Sequence, residues 1–273
     1  MEGPWMFIEE RHQHILEMLH AKGRVEVVEL SKNFQISEDS IRRDLRLMEE
    51  KGLLTRTYGG AILPEQVSSA LSYRERQEIN KDVKTAIAKS AVAAIKNNDT
   101  ILLDGSSTVA EMVPFLNRIA GLTVITNSIA IAHDVLLFTT GCKLVMIGGT
   151  VDRECFNTIS IDSLKKIQGL RVDKTFAGPC GICPEWGLST TTFDEAAIKK
   201  AMLEAAKEVY LLFESSKFGH RSLANIGPIE PRYHWITDGQ IAVEDSGFQK
   251  LLAQGLQIQI ADTITNGDSN LRL

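Results

Sequence analysis

One run of the sequence, Ile36-Ser37-Glu38-Asp39-Ser40-Ile41-Arg42-Arg43-Asp44-Leu45-Arg46-Leu47-Met48, determines how the N-terminal part of the chain folds. It predicts a helix from Glu38 to about Lys51, with Ser37 as N-cap, because the serine hydroxyl can accept a backbone N–H of the first turn. Helical spacing places three apolar residues on the inward face, Ile41, Leu45 and Met48. The same spacing leaves three basic residues on the outer side, Arg42, Arg43 and Arg46.

Shorter elements surround this helix. Periodic apolar residues predict a first helix from about Phe7 to Ala21, stopped by Lys22-Gly23, and a second helix over Val27–Phe34. After the third helix, residues 52–61 predict a strand, a glycine turn and a return strand. These elements form a winged helix-turn-helix pattern, although a small helical bundle with a solvated arginine face would show the same spacing.

The composition is that of an ordinary globular protein built of two modules. At 273 residues the chain exceeds the usual size of one domain, and its 44% hydrophobic and 24% charged residues argue against disorder and fibrous repeats. The net charge of −5 means that any contact with nucleic acid depends on a local basic surface. No run is long enough to span a bilayer and the charged N-terminus does not resemble a signal peptide, so we expect a cytoplasmic protein.

The four cysteines are too few for a disulfide scaffold and suit free thiols in a reducing compartment. Cys180-Gly-Ile-Cys183 has the spacing of half a zinc knuckle or of a redox dithiol, but no second pair follows it. We therefore expect no metal and no cofactor, and a metal-responsive protein that uses these two thiols is the less favoured alternative.

The pattern of elements changes after residue 62. Residues 1–62 form the first module, and residues 63–80 predict a polar, irregular linker. In residues 81–273 a helix over Lys84–Ile95 is followed by strands that alternate with helical stretches, which predicts an α/β domain with a mostly parallel sheet. The predicted strands are Thr100–Asp104, Leu122–Thr126, Lys143–Ile147, Lys174–Gly178, Val209–Phe213, Trp235–Thr237 and Leu256–Ile260.

Polar residues follow several of these strands, at the sheet edge where α/β proteins bind ligands. The first group combines a glycine with hydroxyls and free N–H groups at a helix start, and it suits phosphate or sugar oxygens or simply caps a helix: Asp104, Gly105, Ser106, Ser107 and Thr108. Two other strands end in Thr126, Asn127, Gly148 and Gly149. Glu195 and Lys217 offer an acid and a cation that could clamp a polyol phosphate or could be ordinary exposed charges.

The first module resembles the N-terminal signature of the DeoR family of bacterial transcriptional regulators. The run that carries the resemblance is Val25-x2-Val28-x-Leu30-x3-Phe34-x-Ile36-Ser37-x2-Ser40-Ile41-Arg42-Arg43-Asp44-Leu45-x3-Glu49-x2-Gly52-x-Leu54-x-Arg56-x-Tyr58-Gly59-Gly60-Ala61. Ser40 stands where threonine is commoner and Tyr58 where many members have histidine. Both changes keep a hydrogen-bonding side chain, so they bear on operator sequence more than on DNA binding itself.

This resemblance implies that the third helix enters the major groove of operator DNA. Arg42 and Arg43 are then the leading candidates for contact with guanine O6 and N7, and Arg46 lies beside them. Ser37, Glu38 and Ser40 lie at the helix N-terminus, where hydroxyls and N–H groups can meet phosphates or bases. Two residues in the predicted wing would touch phosphate or the minor groove, Arg56 and Tyr58.

The second module is similar to the sensor domain of the same family. The similarity rests on Lys84-x2-Ile87-Ala88, Leu103-Asp104-Gly-Ser-Ser-Thr108, Thr126-Asn127, Gly148-Gly149, Asp173-Lys174-x-Phe176, Gly187-Leu-Ser-Thr and Ser215-Ser-Lys217-Phe-Gly. It implies a fold like ribose 5-phosphate isomerase that binds a sugar phosphate or related metabolite without turning it over. Cys180, before Gly181, replaces an aspartate common in the family, and Ser160 replaces a common glycine. We therefore hypothesise a ligand that is smaller, less hydroxylated or differently oriented.

The hypothesis from the sequence is a DNA-binding regulator, most simply a repressor of a carbohydrate operon, which acts as a homodimer or homotetramer because one short helix reads few bases. The alternative is an enzyme like a sugar-phosphate isomerase with an attached DNA-binding domain, in which Asp104, Glu195 and Lys217 would be acid–base groups. No acid–base pair close in sequence supports the enzyme.

Overall fold

The computed structural model describes residues 8–22, 24–50, 53–62, 72–239 and 245–262. The chain forms two compact units, Met1–Ala70 and Leu71–Leu273, and each unit is described by itself. Within the described ranges, no helix combines the length and the apolar character needed to cross a bilayer.

The first unit contains three helices and a small antiparallel sheet. The helices are α1 (Ile8–Lys22), α2 (Val27–Phe34) and α3 (Glu38–Glu50), and the strands are β1 (Arg24–Glu26), β2 (Thr55–Thr57) and β3 (Gly60–Ile62). The strand order is β1-β3-β2. The three helices and the β2–β3 hairpin confirm the winged helix-turn-helix prediction, whereas β1 is a three-residue strand that the pattern did not indicate.

Packing in this unit follows the apolar periodicity. The three residues predicted for the inward face of α3, Ile41, Leu45 and Met48, are at most 1% exposed and pack with Ile15 and Leu30 in one core cluster. Ser37 caps α3 as predicted, because the Ser40 backbone N–H donates to Ser37 Oγ at 3.2 Å. Gly60 allows β1 and β3 to approach, since a Cβ there would lie 1.9 Å from the Val25 carbonyl oxygen.

The second unit is built on a seven-stranded sheet. Its strands are β4 (Thr100–Leu103), β5 (Thr123–Thr126), β6 (Lys143–Met146), β9 (Val172–Ala177), β12 (Ala206–Leu212), β14 (Tyr233–Thr237) and β15 (Gln257–Ile260). The order is β15-β14-β12-β9-β4-β5-β6, and every neighbouring pair is parallel. All seven predicted strands are present, which confirms the α/β prediction.

Two further small sheets lie outside the predicted pattern. A hairpin pairs β7 (Val151–Asp152) with β8 (Asn157–Thr158), and an antiparallel sheet joins β10 (Gly181–Cys183), β11 (Gly187–Thr190) and β13 (Ala224–Gly227). These strands have only two to four residues, too few for alternation to be visible in the sequence.

Helices cover both faces of the large sheet and form two apolar core clusters. One cluster contains Leu102, Val209 and Trp235 and is covered by helices that include Ile161–Gln168 and Phe193–Glu204. The other contains Ile101, Leu103 and Phe176 and is covered by helices that include Lys81–Val92 and Ile129–Phe138. Because successive strand residues point to opposite faces, buried residues on both faces are what a parallel sheet covered on two sides requires.

The predicted linker, residues 63–80, needs a correction at its C-terminal end. Its first part, residues 63–71, lies outside the described residues. Residues Tyr73–Glu78 form a helix with Ser72 as N-cap and a capping box to Glu75. Tyr73 is 2% exposed and belongs to the core of the second unit. The prediction of an irregular segment was wrong here because one buried aromatic side chain and a cap are enough to dock a single turn and a half of helix.

Candidate functional site

The outer face of α3 is a row of exposed basic side chains, as predicted. Arg42, Arg43 and Arg46 are all exposed, on the side opposite the buried apolar residues. Ser37 is exposed and its hydroxyl lies 2.9 Å from that of Ser40, so the start of the helix presents two neighbouring hydroxyl groups. This surface has the shape and the donors that a helix needs in order to read base edges.

Arg42 differs from Arg43 and Arg46 in its hydrogen bonds. Its guanidinium donates to Glu38 Oε2 at 2.8 Å and to Asp39 Oδ1 at 3.0 Å, one helical turn away. Arg43 and Arg46 have no ion pair or hydrogen bond with any residue that the structure describes. The predicted DNA-binding residues Glu38 and Arg42 are therefore engaged with each other, whereas Arg43 and Arg46 keep their donors available.

Asp44, which lies between these arginines in sequence, has a structural role that was not predicted. It is 4% exposed, and Arg11 donates to both its carboxylate oxygens, with Nε at 2.6 Å and Nη2 at 3.1 Å. His12 Nε2 lies 3.5 Å from Asp44 Oδ1. The signal was available, because Asp44 is three residues after Ile41 and shares its inward face. This bidentate pair ties α3 to α1 and so holds the basic row in place.

The β2–β3 hairpin presents the predicted wing. Tyr58 is fully exposed at the tip, next to Gly59, whose φ of +96° is the left-handed conformation that favours glycine. Arg56 is half-buried and anchors the hairpin to α3, since its backbone N–H donates to Glu49 Oε1 at 2.8 Å and its guanidinium lies 3.8 Å from Glu49 Oε2. Tyr58 is thus free to reach a partner, and Arg56 partly serves the fold.

In the second unit, the predicted residues lie at the carboxyl edge of the parallel sheet. Asp104 follows β4 and Asn127 follows β5, Gly148 and Gly149 follow β6, and Cys180 follows β9. The structure brings together Asp104, Glu195 and Cys180 around one buried cation, Lys199, which was not among the residues predicted from the sequence.

Lys199 joins the two predicted acids. Its ammonium donates to Asp104 Oδ2 at 2.5 Å and to the Gly178 carbonyl oxygen at 3.0 Å, and it lies 3.5 Å from Glu195 Oε1. Burial lowers the pKa of Lys199, but the Asp104 and Glu195 carboxylates more than offset it, so the net pKa is raised. Lys199 is four residues after Glu195 on the helix Phe193–Glu204, a spacing that could have indicated the pair.

Asp104 is occupied on both oxygens. Besides Lys199, Oδ2 accepts the Gly178 backbone N–H at 2.8 Å and Oδ1 accepts that of Ser106 at 2.9 Å. Asp104 is 2% exposed. The carboxylate is therefore a fixed part of the frame that positions the loops after β4 and β9.

Glu195 and Cys180 continue this network. Glu195 Oε2 accepts the hydroxyls of Thr190 at 2.6 Å and Thr191 at 3.3 Å, and Cys180 Sγ lies 3.4 Å from Thr190 Oγ1. Burial, together with the charge of Glu195, raises the pKa of the Cys180 thiol. Cys180 is thus a neutral, buried group at neutral pH, where a carboxylate would have stood in the pattern of the family.

Lys217 brings a second cation toward this cluster. It ends the short helix Ser215–Lys217 after β12. Burial lowers the pKa of its ammonium group, and the charge of Glu214 opposes that effect. Phe218, the residue after Lys217, forms a β-bridge with Ile182, and the Gly219 N–H donates to the Ile182 carbonyl oxygen at 2.8 Å, so Lys217 lies beside the strand that follows Cys180.

Several predicted site residues have their side chains engaged by the fold. Thr126 Oγ1 donates to the Leu103 carbonyl oxygen at 2.9 Å and accepts the Ser128 N–H at 3.0 Å. Ser106 Oγ accepts the Val109 N–H at 3.1 Å as an N-cap, and its neighbours Ser107 and Thr108 are buried. The side chains of Thr126 and Ser106 thus support their loops, and only their backbone or a rearrangement would meet a ligand.

The predicted glycines permit close contacts. A Cβ on Gly149 would lie 2.3 Å from Ser163 Oγ and 2.6 Å from Ser160 Oγ, and Ser163 Oγ donates to the Gly148 carbonyl oxygen at 3.0 Å. Gly181 lies in β10, and a Cβ there would lie 2.6 Å from the His220 carbonyl oxygen. Ser160, the departure from the family pattern, is the N-cap of helix Ile161–Gln168.

Two buried asparagines, Asn127 and Asn157, also lie at this edge of the sheet. Asn127 Nδ2 donates to the Thr158 carbonyl oxygen at 3.0 Å, which leaves its Oδ1 without a hydrogen-bond partner among the described residues. Asn157 Oδ1 is likewise buried and without a partner in the described part of the chain, and Asn157 was not predicted from the sequence. Buried acceptors without donors are rare and mark places where another molecule can supply the donor.

The Cys180–Cys183 pair is not arranged as a metal centre. Cys183 Sγ accepts from Arg221 Nε and donates to Glu185 Oε2, both at 3.0 Å, while Cys180 faces Thr190. Among the described residues, no three His, Cys, Asp or Glu side chains are grouped as metal ligands would be.

Two family models match the chain, one on each module. Residues 11–67 match the DeoR-like helix-turn-helix domain, and residues 79–239 match the DeoR C terminal sensor domain. Together they cover most of the 273 residues and meet near the helix Tyr73–Glu78.

Similar proteins cover nearly the whole chain. The HTH-type transcriptional regulator GolR of Listeria innocua is 30% identical over 94% of this chain and 100% of its own length. The HTH-type transcriptional repressor GlcR of Bacillus subtilis is 33% identical over 85% of this chain and 89% of its own length. Among solved structures, ribose 5-phosphate isomerase A of Methanocaldococcus jannaschii matches with a TM-score of 0.35 and 18% identity over 51% of this chain and 55% of that chain.

Proposed function

Because this chain belongs to the DeoR family of helix-turn-helix transcriptional regulators, we propose that it is a repressor of a carbohydrate operon. It binds operator DNA through the face of α3 that carries Arg43 and Arg46. Its affinity for the operator changes when the second unit binds a sugar phosphate or a related phosphorylated metabolite. The observation that carries this proposal is the pair of exposed arginines, Arg43 and Arg46, which have no ion pair or hydrogen bond with any described residue, on a helix whose opposite face is fully buried.

The DNA-binding part is supported by how the basic row is held. Ile41, Leu45 and Met48 bury one face of α3, and the Arg11–Asp44 pair ties the helix to α1. A rigid helix with free guanidinium groups loses little conformational freedom when it enters a groove, apart from that of the arginines themselves. Tyr58 at the tip of the wing then lies ready for phosphate or minor-groove contact.

The ligand-binding part is supported by the charges at the carboxyl edge of the sheet. Lys217 lies near Cys180 and attracts an anionic group such as phosphate, whereas the charge of Lys199 is already offset by Asp104 and Glu195. The unpartnered oxygens of Asn127 and Asn157 accept hydrogen bonds and suit the hydroxyl groups of a sugar. Anion and hydroxyls together describe a phosphorylated polyol.

The same geometry supports a regulator over the alternative isomerase. An acid–base catalyst needs a carboxylate within reach of a substrate proton. Asp104 is buried with both oxygens occupied, and Glu195 is held by Lys199 and two threonines. The carboxylates of this cluster are thus committed to the protein itself, which fits binding without turnover.

Cys180 is the residue through which we expect the ligand to differ from those of relatives that have aspartate there. A protonated thiol accepts hydrogen bonds poorly, so a sugar hydroxyl at this position loses its acceptor. Titration of a panel of sugar phosphates against the wild type and Cys180→Asp tests this, and an unchanged order of preference would discard it.

A homodimer or homotetramer belongs to the proposal, because paired half-sites multiply specificity. The helix Ile129–Phe138 exposes three apolar side chains at its C-terminal end, Leu136 at 72%, Leu137 at 63% and Phe138 at 55%. The edge strand β6 adds the partly exposed Val145 and Met146. Apolar surface of this kind beside an open sheet edge suits contact with a second copy.

Selection of bound fragments from random DNA by the full-length protein, with and without sugar phosphates, tests the proposed function. We expect a two-fold symmetric consensus whose recovery changes with one class of phosphorylated metabolite. Recovery of no preferred sequence would refute operator binding. A preferred sequence that is indifferent to every phosphorylated sugar would refute the sensing part alone.

A further inference from the structure

Asn157 lies against the glycine of the loop after β4. A Cβ on Gly105 would lie 1.8 Å from Asn157 Oδ1 and 2.4 Å from its Cγ and Nδ2. Asn157 is 4% exposed, and all three atoms nearest to that Cβ position belong to it. Glycine at position 105 therefore leaves a space that the Asn157 carboxamide fills, next to the Asp104–Lys199 pair.

This arrangement leaves Asn157 incompletely satisfied. Its Oδ1 is buried and has no hydrogen-bond partner among the residues that the structure describes. A buried acceptor without a donor costs free energy. A donor offered elsewhere can therefore draw the Asn157 side chain away from Gly105. Because Oδ1 is buried there, a ligand hydroxyl can reach it only after the side chain turns away from Gly105.

The residue before Asn157 connects it to a different part of the unit. Phe156 has a φ of 56°, in the left-handed region that is unfavourable for a bulky side chain. It ends turn 153–156, which joins β7 to β8. The Phe156 carbonyl oxygen accepts the Ile129 N–H at 2.9 Å, so neighbouring contacts hold the residue in this conformation.

Turn 153–156 packs on the helix Tyr73–Glu78. The Tyr73 and Phe156 ring centroids are 5.8 Å apart, and the Tyr73 N–H donates to the Glu154 carbonyl oxygen at 2.9 Å. The Arg74 guanidinium carbon lies 5.5 Å from the centre of the Phe156 ring. This helix is the first element after residues 63–71, which follow the DNA-binding module in sequence.

We propose that Asn157 is the residue that senses the effector, and that turn 153–156 carries its displacement to the helix Tyr73–Glu78. This rests on the proposed function of the second unit. A ligand hydroxyl donates to Asn157 Oδ1 and draws the carboxamide off Gly105, and the turn shifts with it because Phe156 is the adjoining residue. The ligand favours the displaced arrangement, since only that arrangement accepts its hydrogen bond. The class that fits is a hydroxylated phosphate.

Amide hydrogen exchange of the full-length protein without any ligand tests the mechanical part. Gly105→Ala expels Asn157, and we expect it to speed exchange in residues 73–78 by about tenfold, within the usual range of coupling between contacting residues. Added to Asn157→Ala, the same change has nothing to expel and should leave the rate unaltered. Equal effects in both backgrounds, or none in either, would overturn the proposal.

Two further variants keep this test decisive if Gly105→Ala folds poorly. Phe156→Gly removes the ring and accepts the left-handed conformation, so exchange in residues 73–78 should rise while the Asn157–Gly105 contact stays. Val151→Ala, in the same hairpin but 46% exposed, is the matched control and should not change the rate. Equal rates in Phe156→Gly and Val151→Ala would contradict transmission through the turn.

Calorimetric titration with ribose 5-phosphate and with inorganic phosphate tests the hydroxyl contact. Asn157→Ala should weaken ribose 5-phosphate by about two- to tenfold, the effect of one hydrogen bond, and leave inorganic phosphate unchanged. Equal weakening of both, or no binding of either by the wild type, would overturn the assigned ligand class. Failure of the wild type to bind any DNA sequence would instead refute the proposed function and leave the exchange result intact.

Discussion

Replacing Arg43 by alanine should remove sequence discrimination and leave the rest of the protein unchanged. Arg43 is exposed and has no partner among the described residues, so it can place two donors on a guanine without first breaking a bond. One bidentate contact of this kind discriminates by about 1–3 kcal/mol, and the proposed symmetric dimer would make it twice. The expected loss is therefore about 2–6 kcal/mol, roughly 30-fold to more than 10⁴-fold in operator affinity.

Arg42→Ala is the matched comparison, because the two arginines are adjacent and equally basic. Arg42 neutralises Glu38 and Asp39 through contacts at 2.8 and 3.0 Å. Its removal exposes two carboxylates that repel phosphate, so every DNA sequence should bind more weakly and the preference among sequences should survive. From the sequence, Arg42 and Arg43 were equally good candidates for base contact, and only the ion pairs of Arg42 distinguish them.

The assay is a mobility-shift competition between the selected operator and single-base variants, at one fixed salt concentration. Arg43→Ala should lower the ratio of operator to variant affinity toward one, whereas Arg42→Ala should lower both affinities together. Sugar-phosphate binding should be the same in both variants, which shows that the second unit is intact. A wild-type affinity ratio in Arg43→Ala would refute the assigned contact.

Three other perturbations test the second unit. Lys199→Met leaves the Asp104 carboxylate buried without its cation, and urea unfolding followed by tryptophan fluorescence should show a loss of about 3–5 kcal/mol in the free energy of unfolding. The pKa of Lys217 is lowered by burial, so its charge is present below that value and lost as pH rises through it. Affinity for a phosphorylated sugar should therefore fall as the pH rises, and the fall should begin at a lower pH than the ordinary lysine pKa would give. Lys217→Arg should remove that fall, because arginine stays charged. Leu136→Asp should reduce the molar mass measured by light scattering, because a carboxylate in an apolar contact disfavours association.

Controls for these predictions come from the same chain. Lys200→Met changes the exposed lysine next to Lys199 and should leave unfolding unaltered. Leu223→Asp changes a leucine that is 70% exposed, close to the 72% of Leu136, and should leave the molar mass unchanged. Equal destabilisation by the two lysine substitutions would contradict a dominant Asp104–Lys199 pair. A molar mass insensitive to Leu136→Asp would remove the helix Ile129–Phe138 from the interface.

Whether a site residue could be predicted from the sequence depends on how far away in sequence its partner lies. Ser37 and the outward arginines of α3 follow from helical spacing alone, because cap and face are set within a few residues. Lys199 did not, since its partner Asp104 is 95 positions earlier. Asn157 was equally invisible, because its importance comes from the space left by Gly105, which lies 52 positions earlier in the loop after β4.

Dependence on distant partners also explains why the prediction for the linker was wrong and why β1 was not predicted. Tyr73 looked like one aromatic residue in a polar run, and only the apolar cluster around Phe156 and Ile87 makes it a core residue. β1 has three residues, and its pairing with β3 depends on the close approach at Gly60. Short elements contribute little periodicity, so tertiary contacts decide their state.

By itself the amino-acid sequence determined the two modules, the winged helix-turn-helix pattern, the seven parallel strands and the family resemblance. These depend on periodicity and on motifs that are continuous along the chain. Only the tertiary structure decided which arginines of α3 and which buried acceptors have no partner among the described residues, and which lysine neutralises Asp104. Charges, acceptors and empty space act over a few ångströms in three dimensions, and the chain brings them together only once it has folded.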